Sequence, residues 1–284
     1  MINVICVILY GKGFQESLTL RNLGEMNFSD YHLVIINNGP IPIKKDNLFF
    51  RLKENFTDVS CHEYLDNKSL AVVYNTVINK FKGSDRFVFF DDDTDVSSSY
   101  FEDMLSHYDE SIDLQLPQIV EVDKDIKHYP FLNNRLFTGG IPTVFINKDT
   151  ILSIGSGLVV YKKMINCFNE NNMTLFDERY ALYGVDYSFF RRIDSLKRLN
   201  YNFNIQVFTS LKHSLSKTES GFSEWRHREH LHDYAISCRF YSKSLLHMLL
   251  GMLRCIFREL IKKRFSNIKL VLCTFVKGKH PRCN

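Results

Sequence analysis

Between Phe87 and Asp95 the chain passes from Phe-Val-Phe-Phe to Asp-Asp-Asp-Thr-Asp, and this junction constrains the fold more than any other stretch. An apolar run without polar alternation, too short for a helix, predicts a strand buried on both faces. It stops in four carboxylates within five residues: Asp91, Asp92, Asp93 and Asp95. Like charges that close repel one another unless a cation or strong donors offset them. A merely solvated acidic loop would satisfy the composition. Carboxylates directly after a buried strand, however, sit where open α/β sheets bind their ligands. Hard oxygen ligands of this kind suit Mg²⁺ or Mn²⁺, which in turn grips substrate phosphates.

The surrounding pattern supplies the rest of such a sheet. Residues 3–9 predict a first strand, 15–23 a helix, and 32–36 a second strand ending at the turn Asn37-Asn38-Gly39-Pro40. A shorter extended stretch is expected near 61–64. Val73, Tyr74, Val77, Ile78 and Phe81 recur at helical spacing, which predicts a helix over 70–81. Residues 97–108 read as a helix with serines to cap it, and 114–122 as extended. Strand–helix–strand alternation over the first hundred residues or so argues for parallel βαβ units in an open sheet.

Composition narrows the class. The 284 residues are 45% hydrophobic, enough for a large core and too apolar for disorder. Seven widely spaced cysteines with no CxxC pair argue for reduced thiols in a cytosolic setting, not for a disulfide framework or a zinc site. The apolar N-terminus lacks a basic region and a small-residue cleavage site, so it reads as a buried strand rather than a signal peptide. The net charge of +4 is unevenly spread: residues 212–284 hold 15 Lys/Arg against 5 Asp/Glu, and the preceding residues 21 against 27. An acidic body with a basic tail predicts an anionic partner for the tail. No nucleic-acid reader motif accompanies the basic residues, which leaves an anionic membrane surface.

The second half adds candidates that are individually ambiguous. Ser153-Ile154-Gly155-Ser156-Gly157 permits close backbone approach by a ligand, or simply a tight bend between two strands. Asp186 precedes an amphipathic run, where a helix cap alone would explain it. His213 follows the extended run 203–208 and would end a strand beside the acidic turn. Asp177 and Glu178 are either ligand contacts or solvated charges near a helix end.

Taken in order, these segments resemble the family 2 glycosyltransferases of the GT-A fold, especially those assembling bacterial surface polysaccharides of the O-antigen or capsule, rhamnosyltransferase-like type. The resemblance runs over roughly residues 3–215. The strand from Val4 to Tyr10, with Leu9 and Tyr10 at its end, is similar to the first nucleotide-contacting strand. Val34-Ile35-Ile36-Asn37-Asn38-Gly39 resembles a V-D-N-G turn with Asn37 in place of Asp, and Asn67 with Asn75 an N-x-G…N helix start with Ser69 in place of Gly. Phe90-Asp91-Asp92-Asp93 resembles a DxD motif, Ser156-Gly157 an acceptor-side loop, and Tyr183-Gly184-Val185-Asp186 with Arg191 an E-D/G-x-D…R segment.

The resemblance implies an α/β fold of the GT-A type, an open, mostly parallel sheet with flanking helices, over residues 1–215. The nucleotide-sugar half is expected over 1–110, the acceptor half over 111–215, and a basic helical extension over 216–284. It implies Mg²⁺ or Mn²⁺ held by Asp91 and Asp93 with His213 as third ligand. A nucleotide-diphosphate sugar would be bound by Leu9, Tyr10, Asn37, Asn75, Asp91 and Asp92. Acceptor contacts would come from Ser156, Gly157, Asp177 and Glu178, and Asp186 would be the general base of an inverting displacement. Residues 123–150, including Arg135 and Gly139-Gly140, are expected to shape the donor pocket. A nucleotidyltransferase would share metal and nucleotide, but Gly11-Lys12-Gly13 is too short for its phosphate-binding loop. A non-catalytic nucleotide-sugar-binding or scaffold protein would not need both Asp93 and Asp186.

The tail has its own pattern. Lys243, His247, Gly251, Arg254, Arg258 and Lys262 recur every three or four residues as one narrow polar stripe on a helix, and apolar residues fill the remaining arc. The apolar stretch falls short of the ~20 residues that span a bilayer. Two readings stand: an interfacial helix on an anionic membrane, near a lipid-linked glycan acceptor, or a helix packed on protein. The first places the chain in the cytoplasm, held peripherally at the inner face of the membrane.

Overall fold

A computed structural model describes residues 3–122, 124–213 and 222–283. In chain order, the first half holds β1 (Asn3–Leu9), α1 (Leu18–Leu23), β2 (Phe28–Asn37), α2 (Asn47–Asn55), β3 (Phe56–Glu63), α3 (Leu70–Lys80), β4 (Arg86–Asp91), β5 (Thr94–Asp95), α4 (Ser98–Ser106) and β6 (Leu114–Glu121). Six short strands follow: β7 (Lys127–Tyr129), β8 (Phe131–Leu132), β9 (Arg135–Leu136), β10 (Thr143–Phe145), β11 (Ile151–Leu152) and β12 (Leu158–Tyr161). Then come α5 (Lys162–Glu170), α6 (Val185–Arg198), β13 (Ile205–His213), α7 (Glu224–Tyr241), α8 (Leu245–Ile261) and α9 (Phe265–Lys277).

These elements form two compact units, one from segments 1–67, 77–175 and 192–219, the other from 68–76, 176–191 and 220–284. The expected boundary between residues 215 and 216 lies outside the described residues.

The first unit is built on a sheet of order β10-β13-β6-β12-β4-β1-β2-β3. β3, β2, β1 and β4 run parallel, as do β6 and β13, whereas β12 is antiparallel to both its neighbours. Every residue of β1 is buried, as is the apolar run Phe87–Phe90 of β4. Such strands, covered on both faces, read as continuous apolar runs. The helices start where side chains satisfy their first amides: Ser17 accepts from Leu20 N–H at α1 and Asp46 from Phe49 N–H at α2. The turn after β2 needs Gly39, whose φ is +94° and whose absent Cβ would lie 2.7 Å from the Leu65 carbonyl oxygen.

In the second unit, α7, α8 and α9 pack around Leu231, Ala235, Cys238, Met252, Cys255 and Val271. Polar pairs complete that core. His232 Nδ1 lies 2.7 Å from Thr274 Oγ1, and Asn267 donates to Glu259 and Glu224 at 3.0 Å each. The helix expected from Lys243 forms as α8, and it packs through Met252, Cys255 and Glu259. Packing of the tail helix is therefore realised on one face. Gly251, placed by its spacing in the polar stripe, instead accepts a hydrogen bond from Tyr234 Oη through its carbonyl (3.0 Å). Among the described residues no helix is long and apolar enough to cross a membrane.

Candidate metal centre and active site

Strand neighbours bring the acidic turn its partners. β4 ends at Asp91, β5 begins at Thr94, and β13 pairs antiparallel with β5 so that His213 lies opposite Thr94. The His213 imidazole thereby sits between two carboxylates, with Nε2 3.2 Å from Asp91 Oδ2 and Nδ1 3.3 Å from Asp93 Oδ1. One ligand atom from each of the three residues falls within 4.8 Å of the others. His213 is buried, while Asp91 and Asp93 are half-exposed and open to a ligand.

Burial disfavours the charged form at two of the turn's carboxylates. Burial pushes the Asp93 carboxyl up to about 6; His213 pulls against that shift, and the charges of Asp91 and Asp92 add to it. Asp92 is raised as well, by burial, although Lys12 Nζ sits 2.5 Å from it and the Tyr10 N–H donates to it. Two carboxylates and an imidazole converging on one point, one of them poorly tolerated as an anion, fit a hard divalent cation such as Mg²⁺ or Mn²⁺.

The turn is held from beneath by hydroxyls that share none of its charge. Thr19 Oγ1 donates to the Asp91 carbonyl (2.5 Å) and accepts from Thr94 N–H (3.0 Å), and Ser17 Oγ donates to the Asp92 carbonyl (2.9 Å). Ser156 Oγ accepts from Asp91 N–H (3.2 Å) and lies 2.6 Å from Thr94 Oγ1. The pairing explains this placement: β12 is antiparallel to β4 with Leu158 opposite Phe89, so residues just before β12 lie beside those just after β4. Gly157 has φ +79°, and a Cβ there would lie 2.6 Å from Leu211 and 2.7 Å from Pro117. Its carbonyl accepts from Tyr100 Oη at 2.9 Å. Both Ser156 and Gly157 are buried; Ser156 touches the acidic turn, whereas Gly157 donates to the Phe89 carbonyl and packs against Leu211 and Pro117.

The other candidates fall as follows. Leu9 is buried at the end of β1, and its carbonyl accepts from Asn38 N–H; Tyr10 is half-exposed. Asn37, buried at the end of β2, shapes the following turn: Oδ1 accepts from Gly39 N–H, and Nδ2 donates to the Ile41 carbonyl and to Glu63. In the second unit Asn75 is buried and braces a loop, donating to the Phe176 carbonyl (2.8 Å) and Glu178 Oε1 (2.9 Å) while accepting from Phe176 N–H. Asp177 is 1% exposed. Its carboxylate receives Arg179 in a two-pronged pair and the Tyr241 hydroxyl at 2.7 Å. Glu178 is exposed. Asp186 stands in the first turn of α6, half-buried, just after Gly184 at φ +83°.

Lys12, Ser17, Thr19 and Thr94 were not singled out from the sequence. Lys12 was the most accessible of them. Once β1 is set parallel and adjacent to β4, with Ile8 opposite Asp91, a cation just beyond β1 must lie near carboxylates just beyond β4. The hydroxyls carry no comparable signal, because their partners lie 62 to 75 residues away in sequence.

The architecture defines a class first: an α/β chain of the GT-A type, with a mostly parallel central sheet and flanking helices. The solved structures it is similar to include Staphylococcus aureus TarS (TM-score 0.51, 12% identity, over 91% of this chain and 43% of that one). TarS residues 1–349 give 0.50 and 12%, over 99% of this chain and 93% of that one. GalNAc-T7, solved with UDP, GalNAc and Mn²⁺, gives 0.50 and 12%, over 94% and 57%. At 12% identity the likeness is one of fold. No protein-family profile matches the chain, and no curated protein does.

Proposed function

We propose that this chain is a metal-dependent glycosyltransferase of the family 2 type. It would move a sugar, with inversion, from a nucleotide-diphosphate sugar to a hydroxyl of a lipid-linked glycan acceptor during surface-polysaccharide assembly. The observation that carries the reading is the convergence of Asp91, Asp93 and His213 at the carboxyl ends of strands in a GT-A fold. One protein of that fold, GalNAc-T7, was solved with UDP, GalNAc and Mn²⁺.

When bound, a divalent cation there supplies charge neutralisation for the departing nucleoside diphosphate. Asp91, Asp93 and His213 would hold it. Ser156, Thr19 and Ser17 fix the backbone of the turn, so the ligands are already aimed before substrate arrives. Tyr10 and Lys12, which engage Asp92 from the end of β1, are assigned to the donor side of the site. Asp186 is assigned as the base that takes the proton of the acceptor hydroxyl, since a hydroxyl is a poor nucleophile without one. Glu178, exposed beside the Asn75 brace, is assigned to acceptor contact, and Asp177 to the same loop through Arg179 and Tyr241. Peripheral attachment to the inner face of the cell membrane would bring the chain to its lipid-linked acceptor.

A panel of nucleotide sugars tests the reading, with UDP sugars first. Slow donor hydrolysis that requires Mn²⁺ or Mg²⁺ and stops in excess chelator is expected. Equal hydrolysis in chelator, or none with any donor and acceptor tried, would contradict it.

A further inference from the structure

Exposed apolar surface is concentrated on α8. Leu246, Leu249, Leu253, Phe257 and Leu260 recur at spacings of three and four residues, which puts them on one side of the helix. All are exposed, Leu253 and Phe257 by 62% and 61%, whereas Met252, Cys255 and Glu259 on the far side make the contacts with the core. Beside the apolar arc run His247, Arg254 and Arg258, also exposed. A helix that needed only to pack would present polar residues here, as surface helices do.

The charge around this face decides its occupant. From residue 243 onward the chain has ten Lys/Arg and a single acidic residue, Glu259. That carboxylate is buried and taken by His227 and Asn267. A second copy docked face to face would bring basic flank against basic flank. An anionic bilayer surface accepts both features: the leucines enter the headgroup–acyl boundary, and the arginines meet lipid phosphates. With 17 residues, α8 is about 26 Å long, shorter than the ~30 Å hydrocarbon core, so it would lie in the interface rather than cross it.

We propose that the exposed Leu246–Leu260 face of α8, with His247, Arg254 and Arg258 along its edge, is a docking surface for anionic phospholipid bilayers. This deepens the membrane part of the proposed function and is independent of the sugar chemistry. Co-sedimentation of the full chain with phosphatidylcholine vesicles containing about a third phosphatidylglycerol tests it at low salt, beside pure phosphatidylcholine vesicles. Binding to the anionic vesicles, at least tenfold weaker to the neutral ones and falling as salt rises, is expected. Leu249→Glu with Leu253→Glu should lower binding at least tenfold, and Arg254→Ser with Arg258→Ser should remove most of the anionic preference. These side chains are exposed, and circular dichroism checks that each variant keeps its helices. Wild-type protein left in the supernatant at low salt overturns the proposal without reference to any variant. Equal binding to neutral vesicles overturns it too, as does a stable dimer that the leucine substitutions dissociate. Donor hydrolysis by a chain that ignores vesicles would overturn docking alone; sedimentation without hydrolysis would leave docking standing and remove the transferase reading.

Discussion

The acidic turn after β4 and the outer face of α8 are each unfavourable for the isolated chain, in opposite ways. At the turn, three consecutive carboxylates gather where burial has already pushed Asp93 up to about 6. At α8, leucines and a phenylalanine stand in water while the helix buries a glutamate on its other side. Carboxylates are crowded around Lys12 and His213 at one, and apolar surface stands exposed at the other. Each cost would be relieved by a different class of ligand, a divalent cation in one case and a lipid surface in the other. The turn is also braced by buried hydroxyls from α1 and the loop before β12, whereas α8 is attached through one face. A rigid, pre-aimed ligand set suits chemistry, and an exposed helix face suits attachment.

The sharpest way to break this contrast is Asp93→Asn. Turnover should fall by roughly four orders of magnitude or more, because charge stabilisation of the leaving group is lost. Stability should move the other way. A carboxyl whose folded pKa is raised favours folding below its unfolded value and loses that contribution as pH climbs through about 6. At neutral pH without metal, the Asn variant should therefore unfold at the same or a higher temperature than wild type, and Mn²⁺ should no longer stabilise it. A variant that is both inactive and less stable without metal would make Asp93 a structural residue.

Asp186→Asn comes next. General-base loss predicts a drop of roughly a hundred- to ten-thousand-fold in turnover, with the donor KM nearly unchanged. If Asp186 only favours the start of α6, the variant loses about 1 kcal/mol of stability and keeps its turnover. Measuring both quantities on one preparation separates the readings.

Ser156→Ala sharpens the bracing argument. Removing the acceptor of the Asp91 N–H leaves a hydrogen bond unmade at the turn, worth about 1–2 kcal/mol. Mn²⁺ affinity should weaken several-fold to about tenfold while donor specificity is unchanged. Unaltered metal affinity would show that the turn is held without it.

The smallest effect belongs to the second unit. Burial, with the nearby His280 charge, lowers His232 to about 4 from 6.5. Its stabilising contribution is present above 6.5 and is lost as pH falls toward about 4, because the unfolded chain binds the proton first. Thermal unfolding followed from neutral to acid pH should show a steeper decline for wild type than for His232→Gln. Identical slopes would assign the acid sensitivity to other groups.

How much of this was legible in the sequence depended on whether apolar periodicity or long-range pairing carried the information. β1 and β4 are read from continuous apolar runs and α3 from helical periodicity, and the acidic turn from its place after a buried strand. The helices α2 and α5 were not anticipated. α7 falls within the expected helical extension over 216–284, but its bounds were not legible: it buries Glu229 and His232 alongside Leu231 and Ala235, so polar and apolar residues share its inward face. Ser156-Gly157 was legible as a close backbone approach, but that Ser156 meets the acidic turn while Leu211 and Pro117 crowd Gly157 is revealed only by the strand pairing. Asn75 and Asp177 enter as donor and acceptor contacts through the resemblance, which says nothing of their partners within the chain. In the fold their side chains are engaged with Phe176, Glu178, Arg179 and Tyr241.

In the proposed reading, Asp91, Asp93 and His213 hold a cation that in turn holds a diphosphate. Calorimetric titration of Mn²⁺ with and without UDP, and of UDP with and without Mn²⁺, tests it most directly. The two factors by which each ligand tightens the other must be equal by linkage, and each should be about tenfold or more in wild type. Both should fall to one in Asp93→Asn. UDP and other nucleoside diphosphates that bind equally well in excess chelator, or Mn²⁺ that binds the Asn variant as tightly as wild type, would contradict the account.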